Sequence, residues 1–289
     1  MPELPEVETI KNELAPSVVG HSLTGVAIFD EKLVAVGSLE EVHRELIGRK
    51  IESLKRRGKY LIFELSSGRS LIMHLRMTGS LLLNPREVDR YARAVFDISG
   101  EHRVVFSDRR RLGRIWLVND ADTTVGKLGP EPFDEGYSAE ILGQSLSRHR
   151  IPVKSVLLDQ HIVAGIGNMY ADEALFAAGI HPSRRAHSLS RKEVRTLHNC
   201  IRAVLEAAIN CKGASVDTYV RPEGELGTAH CDFKVAHRRG QPCPACGATI
   251  QWIKIQNRGS CFCPKCQSLS SRHTAKGSQR ASHSLHNVT

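Results

Sequence analysis

Pro2 and Glu3 are the first residues of this chain whose types could do covalent chemistry. Once Met1 is removed, Pro2 carries a secondary amine at the chain's start. An amine can attack a sugar or carbonyl carbon and hold it as an iminium, as lysine nucleophiles do. Glu3, one residue along, could shuttle protons at the attacked carbon. The run Met1-Pro2-Glu3-Leu4-Pro5-Glu6-Val7-Glu8 also suits a helix start, because proline and glutamate are both favoured in a first turn. Those eight residues alone leave both readings open.

A second chemical pattern lies at the other end. Cys243-Pro-Ala-Cys246 and Cys263-Pro-Lys-Cys266 are two C-x-x-C knuckles separated by 16 residues, a spacing suited to a four-thiolate zinc ribbon. Each knuckle supplies two sulfurs from one tight turn, and two knuckles close a tetrahedron around one zinc with no position left open, so the metal is structural. It replaces a core that so short a segment cannot build. Between the knuckles, Ile250–Ile255 and Ser260–Cys263 read as a hairpin with Asn257, Arg258 and Gly259 at its tip, where an arginine suits phosphate contact. Cys200, Cys211, Cys231 and Cys261 fall off the pattern and read as reduced thiols.

Positioning these groups requires several elements. Residues 3–15 carry Val7, Ile10 and Leu14 on one helical face. From about 21 to 117 short strands alternate with turns; Leu61–Leu65 and Leu71–Leu75 flank a Ser66–Arg69 turn, and Ala94–Ile98 and Arg103–Phe106 flank a second. Gly129-Pro130-Glu131-Pro132 breaks this pattern. A helix follows over 191–209, with Ser190 and Glu193 as a capping box, and 212–240 reads as a long loop. The predicted fold is α+β and multi-domain: an N-terminal β-sandwich domain with a flanking helix over 1–130, a helical region over 131–240, a zinc ribbon over 241–267, and a disordered tail over 268–289.

Composition narrows the partner. The chain has 289 residues and a net charge of +9, which points to a polyanion, and nucleic acid is the commonest. Aromatics make up only 5%, too few for a single-strand binder built on stacking platforms. No apolar run reaches the ~20 residues a membrane span needs, and no secretory signal is visible. A cytoplasmic, monomeric protein with no membrane partner is expected.

Together the motifs resemble the bacterial formamidopyrimidine-DNA glycosylase family. They are Pro2-Glu3-Leu4-Pro5-Glu6, Arg56-Arg57-Gly58-Lys59-Tyr60, His74-Leu75-Arg76-Met77-Thr78-Gly79-Ser80, Asp108-Arg109-Arg110-Arg111-Leu112-Gly113, Gly165-Ile166-Gly167-Asn168-Met169-Tyr170 and the four cysteines. The resemblance covers residues 2–267. It implies a helix–two-turn–helix region, damaged double-stranded DNA in the cleft between domains, and excision of oxidised purines (8-oxoguanine, formamidopyrimidines) after the base is flipped out. Pro2 would form the Schiff base and the AP-lyase step would eliminate both flanking phosphates. Glu3 would be the proton shuttle and Glu6 would support the site. Lys59, His74, Asn168 and Arg258 match phosphate-gripping positions, with Lys59 and Arg258 serving the catalytic steps. Met77, Arg110 and Leu112 match the residues that fill the hole left in the helix, and 213–219 matches the segment that covers the flipped base. The N–H groups opening a helix at Gly165–Asn168 would also suit a phosphate.

Two features depart from that pattern. Position 112 is leucine where phenylalanine is usual, and the chain runs on past Cys266. Two alternatives share much of the pattern. An endonuclease VIII-like enzyme for oxidised pyrimidines would keep Pro2, Glu3 and the zinc. A non-catalytic zinc-ribbon DNA binder would keep the charge and the ribbon but would have no need of Pro2.

Overall fold

Strands bury every second side chain and helices bury a stripe, and these two periods sort the chain into a sheet half and a helical half. The computed structural model describes residues 1–269; residues 270–289, most of the tail expected to be disordered, lie outside the described residues. The first helix, α1 (Leu4–Val18), runs three residues past the expected end. Its stripe explains why: Val7, Ile10, Leu14 and Val18 are all fully buried, each burial worth about 1.5–3 kcal/mol. Burying Leu14 and Val18 together outweighs the roughly 3 kcal/mol that Pro16 costs inside a helix.

Nine strands follow, interrupted by one helix. They are β1 (Leu23–Ile28), β2 (Val34–Val36), the helix α2 (Leu39–Leu46), β3 (Ile51–Arg57), β4 (Tyr60–Leu65), β5 (Ser70–His74), β6 (Gly79–Leu83), β7 (Ala92–Ile98), β8 (His102–Asp108) and β9 (Arg114–Val118). They form a four-stranded sheet, order β1-β7-β8-β6, facing a five-stranded sheet, order β2-β9-β5-β4-β3. Register puts Leu61 opposite Met73 and Phe63 opposite Leu71 in one sheet, and Phe96 opposite Val104 in the other. All six enter the shared core, which α1 closes from the side. On the far face of the five-stranded sheet, Ile62 and Ile72 pack with Val125 of a short helix, α3 (Asp122–Val125).

The helical half comprises α4 (Ala139–Ser147), α5 (Val153–Leu157), α6 (Asn168–Ala177) and α7 (Arg191–Asn210). Leu142, Val156, Leu175, Leu197, Ile201 and Leu205 share its core. The Ser190–Glu193 capping box at the start of α7 is present. The final hairpin is β10 (Gln251–Ile255) and β11 (Arg258–Phe262). Among the described residues no helix is long and apolar enough to cross a membrane.

Two devices join the halves. Helix α1 packs on β3 and on α7 at once. Glu131, buried beside the Gly-Pro break, pairs with Arg56 Nη2 at 2.7 Å and Arg57 Nη1 at 3.3 Å. Arg56 also reaches Glu8 of α1 at 2.6 Å. Removing one partner of such a buried pair costs about 3–5 kcal/mol, so this contact fixes the angle between the halves.

Candidate active site

The Pro2–Glu3 corner sits where α1 meets α6. Pro2 is buried and Met1 is exposed. Leu4 N–H donates to Gly165 O at 3.1 Å, and the buried Glu3 carboxylate accepts Met169 N–H at 3.1 Å. The approach at Gly167 is close: a Cβ there would lie 2.1 Å from the Glu3 carboxyl carbon, so a larger residue would displace that carboxylate. The positive end of α6 therefore faces a carboxylate, a favourable placement. Of the N–H groups around this helix start, Met169 N–H is thus engaged by Glu3 and Gly165 N–H by Gln160 Oε1 at 2.9 Å.

Glu6, one turn on, is fully buried. It accepts hydrogen bonds from Glu3 N–H at 2.7 Å, Ala214 N–H at 2.8 Å and Tyr170 O–H at 2.5 Å. Its carboxyl titrates at about 7, raised by burial and next by the charge of Glu3, against the opposing pull of those three donors. One side chain thus ties the start of α1 to α6 and to the chain leaving α7.

Lys59 lies in the turn between β3 and β4, buried, with its ammonium donating to Ile166 O at 3.0 Å. Burial lowers its pKa below the ordinary lysine range; the charge of Glu3 opposes this and that of Arg258 adds to it. Glu3, Lys59 and Arg258 therefore share one electrostatic neighbourhood, as the sequence motifs imply. His74 is buried at the end of β5, and its Nδ1 accepts Arg76 N–H at 3.0 Å. That bond leaves the proton on Nε2. Burial, followed by the charges of Arg76 and Lys59, depresses its pKa to about 3, so His74 is a neutral N–H donor across the working pH range.

Arg258 is not at the hairpin tip. It is the first residue of β11, paired with Ile255. The turn is Gln256–Asn257, both at positive φ (43° and 63°), the geometry of a two-residue hairpin turn. Gly259 serves close packing instead, because a Cβ there would lie 2.5 Å from Trp252 Nε1. Gly259 O accepts Asn168 Nδ2 at 3.0 Å and Lys154 Nζ at 3.1 Å. Lys154 is fully buried, ion-paired to Asp172 at 2.6 Å, and donates to Ser260 Oγ at 2.8 Å. Asp172 in turn accepts Cys261 N–H at 3.0 Å. This buried pair anchors the hairpin that carries Arg258 to the helical half. Sequence reasoning missed it, although one signal was available: a lysine inside Ile151-Pro-Val-Lys-Ser-Val-Leu-Leu158 is a charge in an apolar run. Glu173, the next residue of α6, accepts N–H groups from Lys234, Val235 and Ala236 at 2.8–2.9 Å and holds the approach to the ribbon.

Met77, Arg110 and Leu112 come together on two neighbouring loops. Met77 and Leu112 are exposed, and Arg110 Nη1 lies 3.5 Å from Met77 Sδ. Asp108, almost fully buried and also missed, builds the platform. Its carboxylate accepts N–H groups from Arg110 at 3.1 Å, Leu112 at 2.8 Å and Gly113 at 2.7 Å, together with the Thr78 hydroxyl. Arg111, at φ 58°, turns away and pairs with Asp30 at 2.6 Å.

The four cysteine sulfurs all lie within 4.8 Å of one another, with Cys243–Cys266 at 3.9 Å and Cys246–Cys263 at 3.4 Å. Zinc–sulfur bonds of about 2.3 Å in a tetrahedron put sulfurs about 3.8 Å apart. The donor set fits one structural zinc and leaves no open ligand position.

Comparison with known proteins covers the same three parts. Residues 1–115 match the formamidopyrimidine-DNA glycosylase N-terminal domain, 128–220 its H2TH domain, and 240–269 a zinc finger found in FPG and IleRS. The formamidopyrimidine-DNA glycosylase of Moorella thermoacetica is 42% identical over 260 residues, covering 88% of this chain and 95% of the relative. That of Chloroflexus aurantiacus is 39% identical over 271 residues, covering 92% and 98%. Among solved structures, the FPG protein of Thermus thermophilus superposes with a TM-score of 0.85 at 37% identity, covering 93% of this chain and all of that one. The Lactococcus lactis Fpg in complex with DNA containing an abasic site gives 0.86 at 33%, covering 92% and 99%. With this identity along nearly its whole length, the chain belongs to the formamidopyrimidine-DNA glycosylase family.

Proposed function

We propose that this chain, once Met1 is removed, excises oxidised purines from duplex DNA and then cleaves the strand. The Pro2 nitrogen attacks the anomeric carbon of the flipped nucleotide and the bond to the base breaks. Glu3, held at the positive end of α6, delivers the proton that opens the sugar ring. The resulting iminium makes the neighbouring sugar hydrogen acidic, and successive eliminations expel the two flanking phosphates. Lys59, Arg258, Asn168 and the His74 N–H supply the positive charge and donors that stabilise phosphate as it leaves. Met77, Arg110 and Leu112 fill the space the nucleotide vacates, and the arginine fork suits the edge of the widowed base. Glu6 holds the geometry. The units doing this work are residues 1–130, 131–240 and 241–267, acting as a monomer on chromosomal DNA in the bacterial nucleoid.

The observation that carries this reading is the carboxylate of Glu3 locked on α6 directly beside Pro2, with the Lys59 ammonium in the same buried corner. Borohydride trapping on a duplex with 8-oxoguanine opposite cytosine, followed by intact mass and peptide mapping, tests it. The expected product is one DNA adduct on Pro2 of a chain lacking Met1. An adduct mapped to a lysine, or none at all, would refute it. Faster excision of thymine glycol than of 8-oxoguanine would favour the pyrimidine enzyme instead.

A further inference from the structure

Residues 109, 110, 111 and 114 are all arginine, on the loop that carries the wedge residues Arg110 and Leu112. Among the described residues, Arg111 is the one of these four that is ion-paired to a carboxylate. Arg110 lies against Met77 Sδ, and Arg114 Nη1 donates to Gly113 O at 2.7 Å. The Asp108 carboxylate, close by in sequence, is occupied by the N–H groups of Arg110, Leu112 and Gly113. Arg111 instead meets Asp30, 81 positions away, in the turn that follows β1.

The pair is bidentate. Arg111 Nε donates to Asp30 Oδ2 at 2.6 Å and Nη2 donates to Oδ1 at 2.8 Å, the fork geometry in which arginine binds a carboxylate best. Asp30 also accepts Lys32 N–H at 3.2 Å. The bonds from Arg111 hold the Asp30 carboxyl below the usual carboxylate range, so it is ionised at neutral pH. The two partners differ in what they would lose. The Asp30 side chain is 5% exposed and that of Arg111 is 51% exposed. On separation Arg111 would meet water, but Asp30 would be left as a buried charge. Stranding a buried charge costs more than an exposed pair contributes, so the burial of Asp30 is what keeps Arg111 in place.

We propose that Asp30 withholds Arg111 from the DNA phosphates and thereby limits how tightly the wedge loop grips duplex of any sequence. The backbone of the loop is already fixed by Asp108, so what the Asp30 pair adds is control of one side-chain charge. A phosphate contact carries no sequence information. One more of them would strengthen binding to undamaged DNA as much as to a lesion. Undamaged sites vastly outnumber lesions, and a chain that must test and leave them is slowed by every contact that does not discriminate. Specificity of this kind comes from an interaction that is prevented rather than one that is made.

The inference rests on the placement of this loop against DNA in the reading above, and it is tested on DNA that carries no lesion. Affinity for an undamaged duplex is measured by fluorescence anisotropy from about 50 to 200 mM salt. Asp30→Asn, whose amide can still accept Lys32 N–H, should bind several-fold more tightly at the low end. Its plot of log affinity against log salt should be steeper by about 0.9, the value of one added phosphate contact. Adding Arg111→Gln to Asp30→Asn should return both quantities to those of the parent. Asp97→Asn is the charge control. It frees Arg103, paired with Asp97 at 2.7 Å, at the opposite end of β8 from the wedge loop, and it changes the net charge equally, so its slope should match the parent's. An unchanged slope in Asp30→Asn, an equal steepening in Asp97→Asn, or a steep slope that survives in the double variant would overturn the proposal. Weaker binding by Asp30→Asn at an unchanged melting temperature would also overturn it, by making the pair a support for the wedge. Asp30→Ser, which can cap the same turn, repeats the measurement if the amide variant melts early. Borohydride trapping on an abasic duplex should match the parent in every variant. A parent that traps nothing refutes the glycosylase reading, while the slopes on undamaged duplex still decide whether Arg111 is withheld.

Discussion

The Pro2 corner and the Met77–Arg110–Leu112 wedge are built in opposite ways. In the corner the functional groups themselves are buried and bonded: Glu3 to Met169 N–H, Lys59 to Ile166 O, Glu6 to three donors. In the wedge the functional side chains are exposed, and only the backbone beneath them is fixed, by the buried carboxylate of Asp108. A reacting atom must be held to within a fraction of an ångström, so its neighbours are locked. Under the proposed wedge role, side chains that enter a base stack have to adapt to what they meet, and here they stand exposed on a rigid stalk.

Four substitutions break or sharpen that contrast. Pro2→Gly should cut trapped adduct by about a hundredfold, the scale of losing a positioned catalytic group, with lesion-duplex binding largely retained in a gel-shift titration. Undiminished adduct would remove Pro2 from the chemistry. Asp108→Ala should strike the wedge from below, leaving the Leu112 and Gly113 N–H groups without their acceptor, while Arg110 N–H keeps Thr78 Oγ1, at a cost of about 1–3 kcal/mol. Thermal melting should fall, and affinity for lesion duplex should drop about tenfold while trapping on a single-stranded abasic oligonucleotide persists. A matching loss on both substrates would mean that Asp108 serves the corner as well.

Leu112→Phe restores an aromatic wedge. Stacking on a base is worth about 1–3 kcal/mol relative to alanine, and leucine already supplies part of that contact, so lesion-duplex affinity should rise by about 1 kcal/mol at most, up to about fivefold, read by fluorescence anisotropy, with the rate on abasic DNA unchanged; no gain would show that leucine fills the gap equally well. The smallest effect concerns Glu6. Its carboxyl titrates at about 7 in the fold against 4.5 ordinarily, so the fold binds that proton more tightly. Its contribution to stability is complete below about pH 4.5 and lost as pH rises through 7. Glu6→Gln should flatten the fall in urea midpoint between pH 5 and 8, and an unaltered slope would show that Glu6 is not the titrating group.

What could be read from the sequence was whatever repeats at short range. The α7 capping box lies within four residues, the hairpins within about fifteen, and the cysteine knuckles announce themselves by spacing. Lys59, His74 and Asn168 were singled out because they sit inside recognisable motifs. The partners that hold them were not, because Lys154 meets Gly259, Glu3 meets Met169 and Glu13 meets Arg221 across 105, 166 and 208 positions, and spacing says nothing about such contacts. Arg258 was misplaced for a local reason. Gly259 looked like the turn residue, whereas Gln256 and Asn257 take the positive φ angles and the glycine makes room for Trp252.

The close fit of Glu3 against Gly167 also orders events during synthesis. The amino terminus emerges from the ribosome first, but the residues that enclose it, 165–169, are added about 160 positions later. At about 5–20 residues per second the chain's leading end waits many seconds without its seat. Through that interval Pro2, buried in the finished fold, stays open to solvent; afterwards α1 is pinned between sheet and helices.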